Sequence, residues 1–286
     1  MTRITARRRV TRITVGDPAR SRADLLAVEE PLELRIGGRP FTVTMRTPGN
    51  DVELVAGLLH AEGVITDPGH LAVARYCAGA TGESGENTYN VLDVTLADGV
   101  PAPEPGLERN VLTTSACGVC GATSIDAVTS VTRHPVHDDP LRIDPELLAG
   151  FPDELRRRQK VFERTGGLHA AALFDGRTGD LLVMREDVGR HNAVDKVLGR
   201  ALLQGLLPAR ETVLMVSGRA SFELTQKALM AGVPLLAAVS APSSLAAELA
   251  EEAGLTLVGF LRGPSMVVYS GAQRVARPAL AEAVGS

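Results

Sequence analysis

The alternation of strand and helix patterns after Leu168 constrains the fold more than any other feature of this sequence. Three short apolar segments with strand character, 212–216, 235–239 and 256–261, are separated by segments with helical spacing. Parallel strands need a crossover connection, which is usually a helix, so this alternation predicts a parallel sheet flanked by helices. We therefore expect an α/β fold for the C-terminal part of the chain.

Turn residues define the ends of the elements around this sheet. A helix predicted over 221–231 is followed by Gly232, and a second helix, which begins at Ser243 or Ser244, ends near Gly254. Upstream, Pro145 suits the first turn of a helix that runs to about residue 159. A polar turn between two apolar segments predicts a hairpin over residues 168–185.

The N-terminal part of the chain predicts a smaller sheet. Residues 32–36 and 41–45 alternate around a pair of glycines, which is typical of a β-hairpin. Asn50 and Glu53 have the spacing of a capping box at the start of an amphipathic helix that ends at Gly63.

Two further strands are predicted at 71–76 and 89–96, and three prolines between residues 101 and 105 predict a stiff link after them. We expect a mixed α/β protein with a smaller β-rich domain over 1–110, which includes one helix, and a larger α/β domain over 111–286.

Composition excludes several classes of protein. The net charge of −4, the absence of tryptophan and an aromatic content of 3% argue against a general nucleic-acid surface, which needs basic and stacking residues. No apolar run approaches the roughly 20 residues of a membrane span, and none of signal-peptide length follows the basic N-terminus. We expect a cytoplasmic protein whose first dozen residues form a solvated tail.

The loop from Ser115 to Gly121 carries two of the three cysteines, Cys117 and Cys120, among glycines, and a short helix is predicted after it over residues 122–131. Two cysteines at this spacing fit half a zinc site, a redox dithiol or a nucleophilic thiolate assisted by its neighbour. Because no second such pair is present, a zinc site is disfavoured and no metal is expected. An odd number of cysteines also argues against a disulfide framework.

Two loops follow neighbouring strands of the predicted parallel sheet. The first contains Ser217, Gly218 and Arg219 and leads into a helix, and the second spans residues 240–244. Ligands of open α/β sheets bind outside the carboxyl ends of the strands, where helix N-termini attract anions. We therefore predict a phosphate or nucleotide site here, with Arg219 as the cation. N-capping by Ser221 and Ser244 is the competing explanation of the serines.

The junction from Glu186 to Asn192 is unusually rich in polar side chains for a passage from strand to helix. Asn192 and Asp195 are explained by a helix start, which leaves Arg190 and His191 as site candidates. His169 and Cys77 stand alone in the sequence and are interpreted as structural residues.

Together, these residues resemble the formate dehydrogenase accessory sulfurtransferase family, FdhD. The resemblance extends over most of the chain. The matching stretches are 29–32, 46–49, 117–121, 165–171, 185–196, 217–227 and 259–263.

The resemblance implies a cytoplasmic homodimer that acts as a sulfurtransferase. A cysteine desulfurase would donate sulfur, the chain would hold it as a cysteine persulfide, and the molybdenum of a bis(molybdopterin guanine dinucleotide) cofactor would accept it. Formate dehydrogenase would then need that cofactor for activity. The resemblance also implies a three-layer α/β domain similar to cytidine deaminases but without their zinc ligands.

The resemblance further implies a persulfide on Cys117 with Cys120 in support. It places cofactor binding in the strand and loop after the last parallel strand. Those residues are Phe260, Leu261, Arg262, Gly263, Pro264 and Ser265. GDP could occupy this site as a mimic of the cofactor's guanine nucleotide. Two alternatives stay open at this point, a non-catalytic cofactor chaperone and a thiol-disulfide oxidoreductase.

Overall fold

The computed structural model describes residues 4–77, 88–103 and 134–276. Within them lie strands and helices in mixed order, so the fold is mixed α/β, as the sequence predicts. The strands are β1 Thr5–Arg12, β2 Arg20–Ala27, β3 Glu30–Ile36, β4 Arg39–Arg46, β5 Leu71–Tyr76, β6 Val91–Leu96, β7 His169–Asp175, β8 Leu181–Asp187, β9 Thr212–Val216, β10 Leu235–Ala238, β11 Thr256–Arg262 and β12 Ser265–Ser270. The α-helices are α1 Asp51–Ala61, α2 Pro145–Arg158, α3 Lys160–Thr165, α4 Arg190–Leu203, α5 Phe222–Met230 and α6 Ser244–Glu252.

The chain divides into two compact units, each made of separate segments. Unit 1 contains Met1–Thr123, Arg157–Ala171 and Arg185–Leu206, and unit 2 contains the remaining segments, Ser124–Arg156, Ala172–Met184 and Leu207–Ser286. The domain boundary predicted between residues 110 and 111 lies outside the described residues and stays a prediction.

Unit 1 is built around a four-stranded sheet in the order β4-β3-β6-β5. The β3–β4 hairpin predicted from the sequence is confirmed, and β3 also pairs in parallel with β6. The buried face of the sheet includes Leu32, Leu34 and Leu92, each at most 1% exposed. Leu32 and Leu34 are two positions apart because side chains alternate between the two faces of a strand. Leu92 lies opposite Leu34 on β6.

Helices α1 and α4 of unit 1 pack at very close range. A Cβ atom added to Gly57 would lie 1.9 Å from the carbonyl oxygen of Asp195, and one added to Gly199 would lie 1.8 Å from that of Glu53. Only glycine permits backbones to approach this closely. The helix after Asn50 is confirmed, but the capping box is wrong, because Asn50 adopts a left-handed conformation, with φ of 57°, and its side chain makes no capping hydrogen bond.

Unit 2 carries the regular alternation that dominates the sequence. Its sheet has the order β12-β11-β10-β9-β7-β8. Of β7 and β8, residues 172–175 and 181–184 belong to unit 2. Strands β9, β10 and β11 are parallel, with Leu235 opposite both Val213 and Thr256, and β12 pairs with β11 in the antiparallel sense. The predicted parallel strands are confirmed, and the cytidine-deaminase-like three-layer arrangement stays a prediction.

The N-terminal residues form a ribbon, so the prediction of a solvated tail is wrong. Strands β1 and β2 pair over eight residues without interruption, from Thr5 opposite Ala27 to Arg12 opposite Arg20. The end of the ribbon near Ala27 packs against α3 of the same unit. A Cβ atom added to Gly167 would lie 3.6 Å from that of Ala27, an ordinary contact distance. The sequence pattern missed this ribbon because it has no apolar face.

Candidate functional site

The two cysteines of the predicted sulfur loop, Cys117 and Cys120, lie outside the described residues, as does the short helix predicted after them at 122–131. Their assignment therefore rests on the sequence. Cys77 is half-buried, and its backbone N–H donates to the carbonyl of Val91 across the β5–β6 edge. The sequence predicted a small buried residue at this position, whereas Cys77 is only partly buried.

The carboxyl ends of β9, β10 and β11 in unit 2 are joined by backbone hydrogen bonds. The amide of Ser240 donates to the carbonyl of Gly218 at 3.2 Å, and the amide of Phe260 donates to the carbonyl of Ser240 at 3.2 Å. Ser243 likewise donates to Ala220 at 3.0 Å. The structure thus brings the loops at 217–221 and 240–244 together with Phe260 at one edge of the parallel sheet.

Two arginines project from these strand ends. Arg219 is exposed in the loop before α5, and Arg262 is exposed at the end of β11. The Nε atom of Arg262 donates to the carbonyl of Val239 at 2.9 Å, which fixes the base of its guanidinium group beside the end of β10. Exposed guanidinium groups next to helix N-termini form a donor set suited to phosphate. These residues therefore fit the phosphate groups of a nucleotide or of a dinucleotide-bearing cofactor.

The serines of the two loops behave differently from one another. Ser221 is the N-cap residue of α5, but its side chain makes no capping hydrogen bond. For α6 the N-cap is Ser243 rather than Ser244, and the Ser243 hydroxyl accepts from the amide of Ala246 at 3.3 Å. Side-chain capping thus explains Ser243 and does not explain Ser221.

The predicted cofactor stretch from Phe260 to Ser265 is a tight hairpin of strand and turn that begins within the last parallel strand rather than after it. Phe260, Leu261 and Arg262 belong to β11, Gly263 and Pro264 form the turn, and Ser265 begins β12 opposite Arg262. Leu261 is fully buried, so it belongs to the core of this hairpin.

Phe260 has an unusual conformation within this hairpin. Its φ of 50° lies in the left-handed region, which is uncommon for a residue other than glycine, and its side chain is 42% exposed. Such conformations cost about 1–3 kcal/mol and cluster at functional sites. The strain coincides with a register irregularity between Gly259 and Arg262. The irregular pairing accounts for this conformation, and a role of Phe260 at the site stays a prediction.

Unit 1 contains a second group of polar residues, and it is buried. The Nζ atom of Lys196 lies 2.7 Å from Oδ2 of Asp187, and the two side chains are 2% and 0% exposed. The same carboxylate accepts hydrogen bonds from the amides of Thr47 and Gly189, at 3.1 and 2.8 Å, and from the side chain of Asn192 at 3.2 Å. Lys196 also donates to the carbonyl of Thr47 at 2.8 Å. Every charge in this cluster therefore has close partners.

The buried cluster positions the start of α4, where the predicted candidates Arg190 and His191 lie. The N-cap of α4 is Gly189, so the interpretation of Asn192 and Asp195 as a helix start is wrong. Instead, Asn192 donates to the carbonyl of Met45 at 2.7 Å and tethers α4 to the end of β4. Arg190 and His191 are half-buried.

His169 belongs to the surroundings of Arg190. Burial, and secondly the positive charge of Arg190, lower the pKa of His169 below its ordinary value, while Asp187 opposes this shift. His169 is thus held in the neutral form near pH 7. Sequence reasoning missed this coupling, because His169 and Arg190 lie on different elements of unit 1.

A third buried group surrounds Arg46 at the end of β4. Arg46 is fully buried and donates to both carboxylate oxygens of Asp51, while the hydroxyl of Tyr76 donates to Asp51 at 2.9 Å. Burial, followed by the charge of Asp51, raises the pKa of Tyr76. Sequence reasoning missed this group, and the one available signal was the family stretch that begins at Arg46.

Comparison with known proteins places these observations in context. A sequence profile of the FdhD/NarQ family matches residues 27–276. The chain is 60% identical over 282 residues to the sulfur carrier protein FdhD of Streptomyces avermitilis, which covers 98% of this chain and 99% of the relative. It is 56% identical over 273 residues to the protein of the same name from Mycobacterium tuberculosis, which covers 95% and 98% of the two chains.

A solved structure shares the fold at low sequence identity. It is the crystal structure of a protein from Desulfotalea psychrophila with the provisional name formate dehydrogenase accessory protein. The TM-score is 0.74 at 23% identity, and the alignment covers 96% of this chain and all of the other. In the part of the chain that the structure describes, no helix has the length and apolarity needed to cross a membrane.

Proposed function

The chain belongs to the FdhD/NarQ family, and from that premise we propose that it is a sulfur carrier that serves formate dehydrogenase. The observation that carries this proposal is the 60% identity to a named sulfur carrier protein along almost the whole of both chains. The sequence supplies the chemistry that such a role needs, because Cys117 and Cys120 form a spaced thiol pair within a glycine-bearing loop.

We propose a sulfurtransferase reaction through a persulfide on Cys117. The Cys117 thiolate attacks the terminal sulfur of a persulfide on a cysteine desulfurase. A new S–S bond forms on Cys117, the old S–S bond breaks, and the desulfurase cysteine leaves as a thiolate. In the second step the Cys120 thiolate attacks Sγ of Cys117 and expels the terminal sulfur at the sulfide level. A disulfide remains, which an external dithiol reduces.

The choice between the two cysteines rests on two opposing effects. The helix predicted after residue 121 would lower the pKa of the nearer thiol, Cys120. Cys117, however, has more loop around it, and the sulfur must reach both a donor enzyme and an acceptor. We assign the persulfide to Cys117 because reach is required for both transfers.

We propose that the acceptor substrate is the molybdenum of bis(molybdopterin guanine dinucleotide). The strand ends of unit 2 would hold its phosphates, with Arg219 and Arg262 as the cations and Ser217 and Gly218 in the supporting loop. The hairpin from Phe260 to Ser265 would form one wall of this site. Arg190 and His191 of unit 1 remain candidate contacts for an anionic substrate group.

Sulfur turnover distinguishes this function from that of a cofactor chaperone. Cys117→Ala and Cys120→Ala are loaded separately with labelled sulfur from a desulfurase and cysteine, analysed by intact-mass spectrometry, and assayed for activation of formate dehydrogenase. We expect label on Cys120→Ala and no label on Cys117→Ala. Normal activation by a third variant that carries both Cys117→Ala and Cys120→Ala would favour the chaperone. A Cys117–Cys120 disulfide that forms in the wild-type protein without any added sulfur would favour the oxidoreductase.

We also propose that the protein works as a homodimer in the cytoplasm, where thiols stay reduced. Sedimentation equilibrium of the purified protein tests the dimer, and a monomer across the working concentration range would refute it.

A further inference from the structure

The β1–β2 ribbon presents arginines on both of its faces. Paired residues share a face, and residues along a strand alternate between faces. The register places Val10 opposite Arg22 and Arg12 opposite Arg20, so the even-numbered residues of both strands share one face. That face carries more of the arginines than the other. Four arginines, Arg8, Arg12, Arg20 and Arg22, lie on that face, and two, Arg7 and Arg9, lie on the opposite face.

The arginines of the ribbon form few ion pairs within the described chain. Arg22 lies 3.1 Å from Asp24, in a pair whose side chains are 48% and 40% exposed. Within the described ranges, the other five arginines of the ribbon make no ion pair. Residues 1–27 contain seven arginines and two aspartates, whereas the rest of the chain contains 23 basic and 32 acidic residues. The ribbon is therefore a concentrated positive charge on an otherwise acidic chain.

The ribbon also has an open backbone edge. In the described part of the chain β1 pairs with β2 alone, so the polar groups on its other side face no strand. Proteins protect such edges with charged side chains, prolines, bulges or very short strands, and of these β1 has the charged side chains, which an acidic partner would neutralise. Here the register is regular over eight pairs, and neither strand contains proline. An isolated two-stranded ribbon is also only marginally stable in water, which a third strand would remedy.

The tip of the ribbon is apolar and exposed. Ile13 is 74% exposed and Val15 is 99% exposed, the highest values among the large apolar residues of the described chain. Surface arginines alone could serve solubility, but two exposed branched apolar residues beside them do not. Arginine around an apolar anchor is the composition that marks protein–protein interfaces.

We propose that the free edge of β1 binds an extended acidic segment of a partner protein as a third strand. Backbone hydrogen bonds would supply strand addition, and the guanidinium groups would pair with carboxylates on either face. The ribbon lies before the family profile match except for Ala27, its last residue, and it contains no cysteine, so this role is separate from the proposed sulfur chemistry.

Two other partner classes fit less well. The remaining 259 residues carry nine more acidic than basic groups, and this negative charge would repel the phosphates of a nucleic acid. A membrane would need one apolar face on the ribbon, and arginines occupy both faces.

The first experiment measures binding of a fluorescent peptide of about ten alternating Glu and Val residues, a length that spans β1. We expect saturable binding by fluorescence anisotropy, and no binding of the same peptide with Gln in place of Glu. The Glu side chains of an alternating peptide all lie on one face of the added strand, and the face with four arginines attracts them most. Reversing Arg8→Glu and Arg12→Glu of that face together should weaken binding about tenfold, because two exposed ion pairs are lost.

The matched control reverses two exposed arginines of unit 1 outside the ribbon, Arg39→Glu and Arg75→Glu, with Arg75 on an edge strand of the other sheet. It changes the net charge by the same amount and should leave the peptide affinity unchanged. Equal weakening in both double variants, or equal binding of the Gln peptide, would overturn the proposal. Far-UV circular dichroism verifies that each variant is folded.

The second experiment tests strand addition itself with two peptides that are N-methylated at alternate residues, at odd or at even positions. One set of N–H groups faces β1 and the other faces away. We expect one peptide to lose binding and the other to keep it, whereas equal affinities would show attraction by charge alone and refute a third strand.

Ribbon-dependent binding of duplex DNA or phosphatidylglycerol vesicles that is tighter than binding of the Glu peptide would replace the proposal. So would ribbon-dependent self-association in the absence of peptide binding.

Discussion

The two units both contain charged residues of the family stretches, and Asp187 and Lys196 of unit 1 lie in an environment opposite to that of Arg219 and Arg262 of unit 2. In unit 1 the charges of Asp187 and Lys196 are buried and each is bonded to several partners. In unit 2 Arg219 and Arg262 are exposed at the ends of parallel strands. Membership of a shared motif therefore does not distinguish a residue that maintains the fold from one that meets a substrate.

The difference between them follows from the cost of burying charge. Burying a charge removes its hydration free energy, and close hydrogen-bonding partners must offset that loss. Once the charge is paired in this way, it is held in one geometry. The Asp187 cluster thus fixes the Thr47 turn and the start of α4 at the expense of reactivity. An exposed guanidinium group retains its capacity to bind an anion. We therefore interpret the unit 1 cluster as a support and the unit 2 strand ends as a binding site.

The largest effect is expected for Asp187→Ala. This change leaves the Lys196 ammonium group buried without its carboxylate and removes the acceptor of two backbone amides. Breaking a buried pair in this way costs about 3–5 kcal/mol, which is measured as the free energy of unfolding in urea. Adding Lys196→Met should recover part of the loss, because the unpaired charge is then absent.

The exposed pair of Arg22 and Asp24 provides the control for this measurement. Asp24→Ala should cost less than about 1 kcal/mol, since both side chains of that pair are substantially exposed. If Asp187→Ala and Asp24→Ala were equally mild, the distinction between a buried support and a surface charge would fail.

The sequence predicted the elements of unit 2 far better than it predicted the polar clusters. The segments at 212–216 and 256–261 were identified because a continuous apolar run between turn residues leaves few alternatives. Asp187 and Lys196 were not identified as a pair, because polarity at a strand–helix junction indicates neither burial nor which elements meet. The bonds of Asn192 to β4 likewise depend on contacts distant in sequence.

The second prediction tests the unit 2 side of the comparison. Arg219→Ala and Arg262→Ala should each weaken GDP binding by about 1.5–3 kcal/mol in a calorimetric titration, the value of a charge-assisted hydrogen bond. Neither change should lower the free energy of unfolding by more than about 0.5 kcal/mol, because both side chains are exposed.

Arg177→Ala serves as the control, since Arg177 is also an exposed arginine of unit 2 but lies in the β7–β8 turn. Its GDP affinity should match that of the wild type. Unchanged affinity in both Arg219→Ala and Arg262→Ala would move the anion site away from the strand ends. Replacing the exposed residues of the hairpin, Phe260 and 262–265, with glycine and serine while keeping the buried Leu261 should abolish cofactor retention, and full retention would exclude the hairpin.

The smallest effect concerns His169, whose pKa is lowered by burial first and by Arg190 second. A lowered pKa means that the unfolded chain takes up its proton more readily than the folded one. This residue therefore destabilises the fold as the pH falls below the ordinary histidine value of about 6.5, and it has no effect above that value.

His169→Gln should reduce the decrease in the free energy of unfolding that occurs between neutral pH and the pKa of His169 in the folded protein. Arg190→Gln should raise the NMR titration midpoint of the His169 ring, because it removes one of the two causes. A midpoint that stays fixed in Arg190→Gln would show that burial alone sets the pKa and would separate His169 from the environment of Arg190.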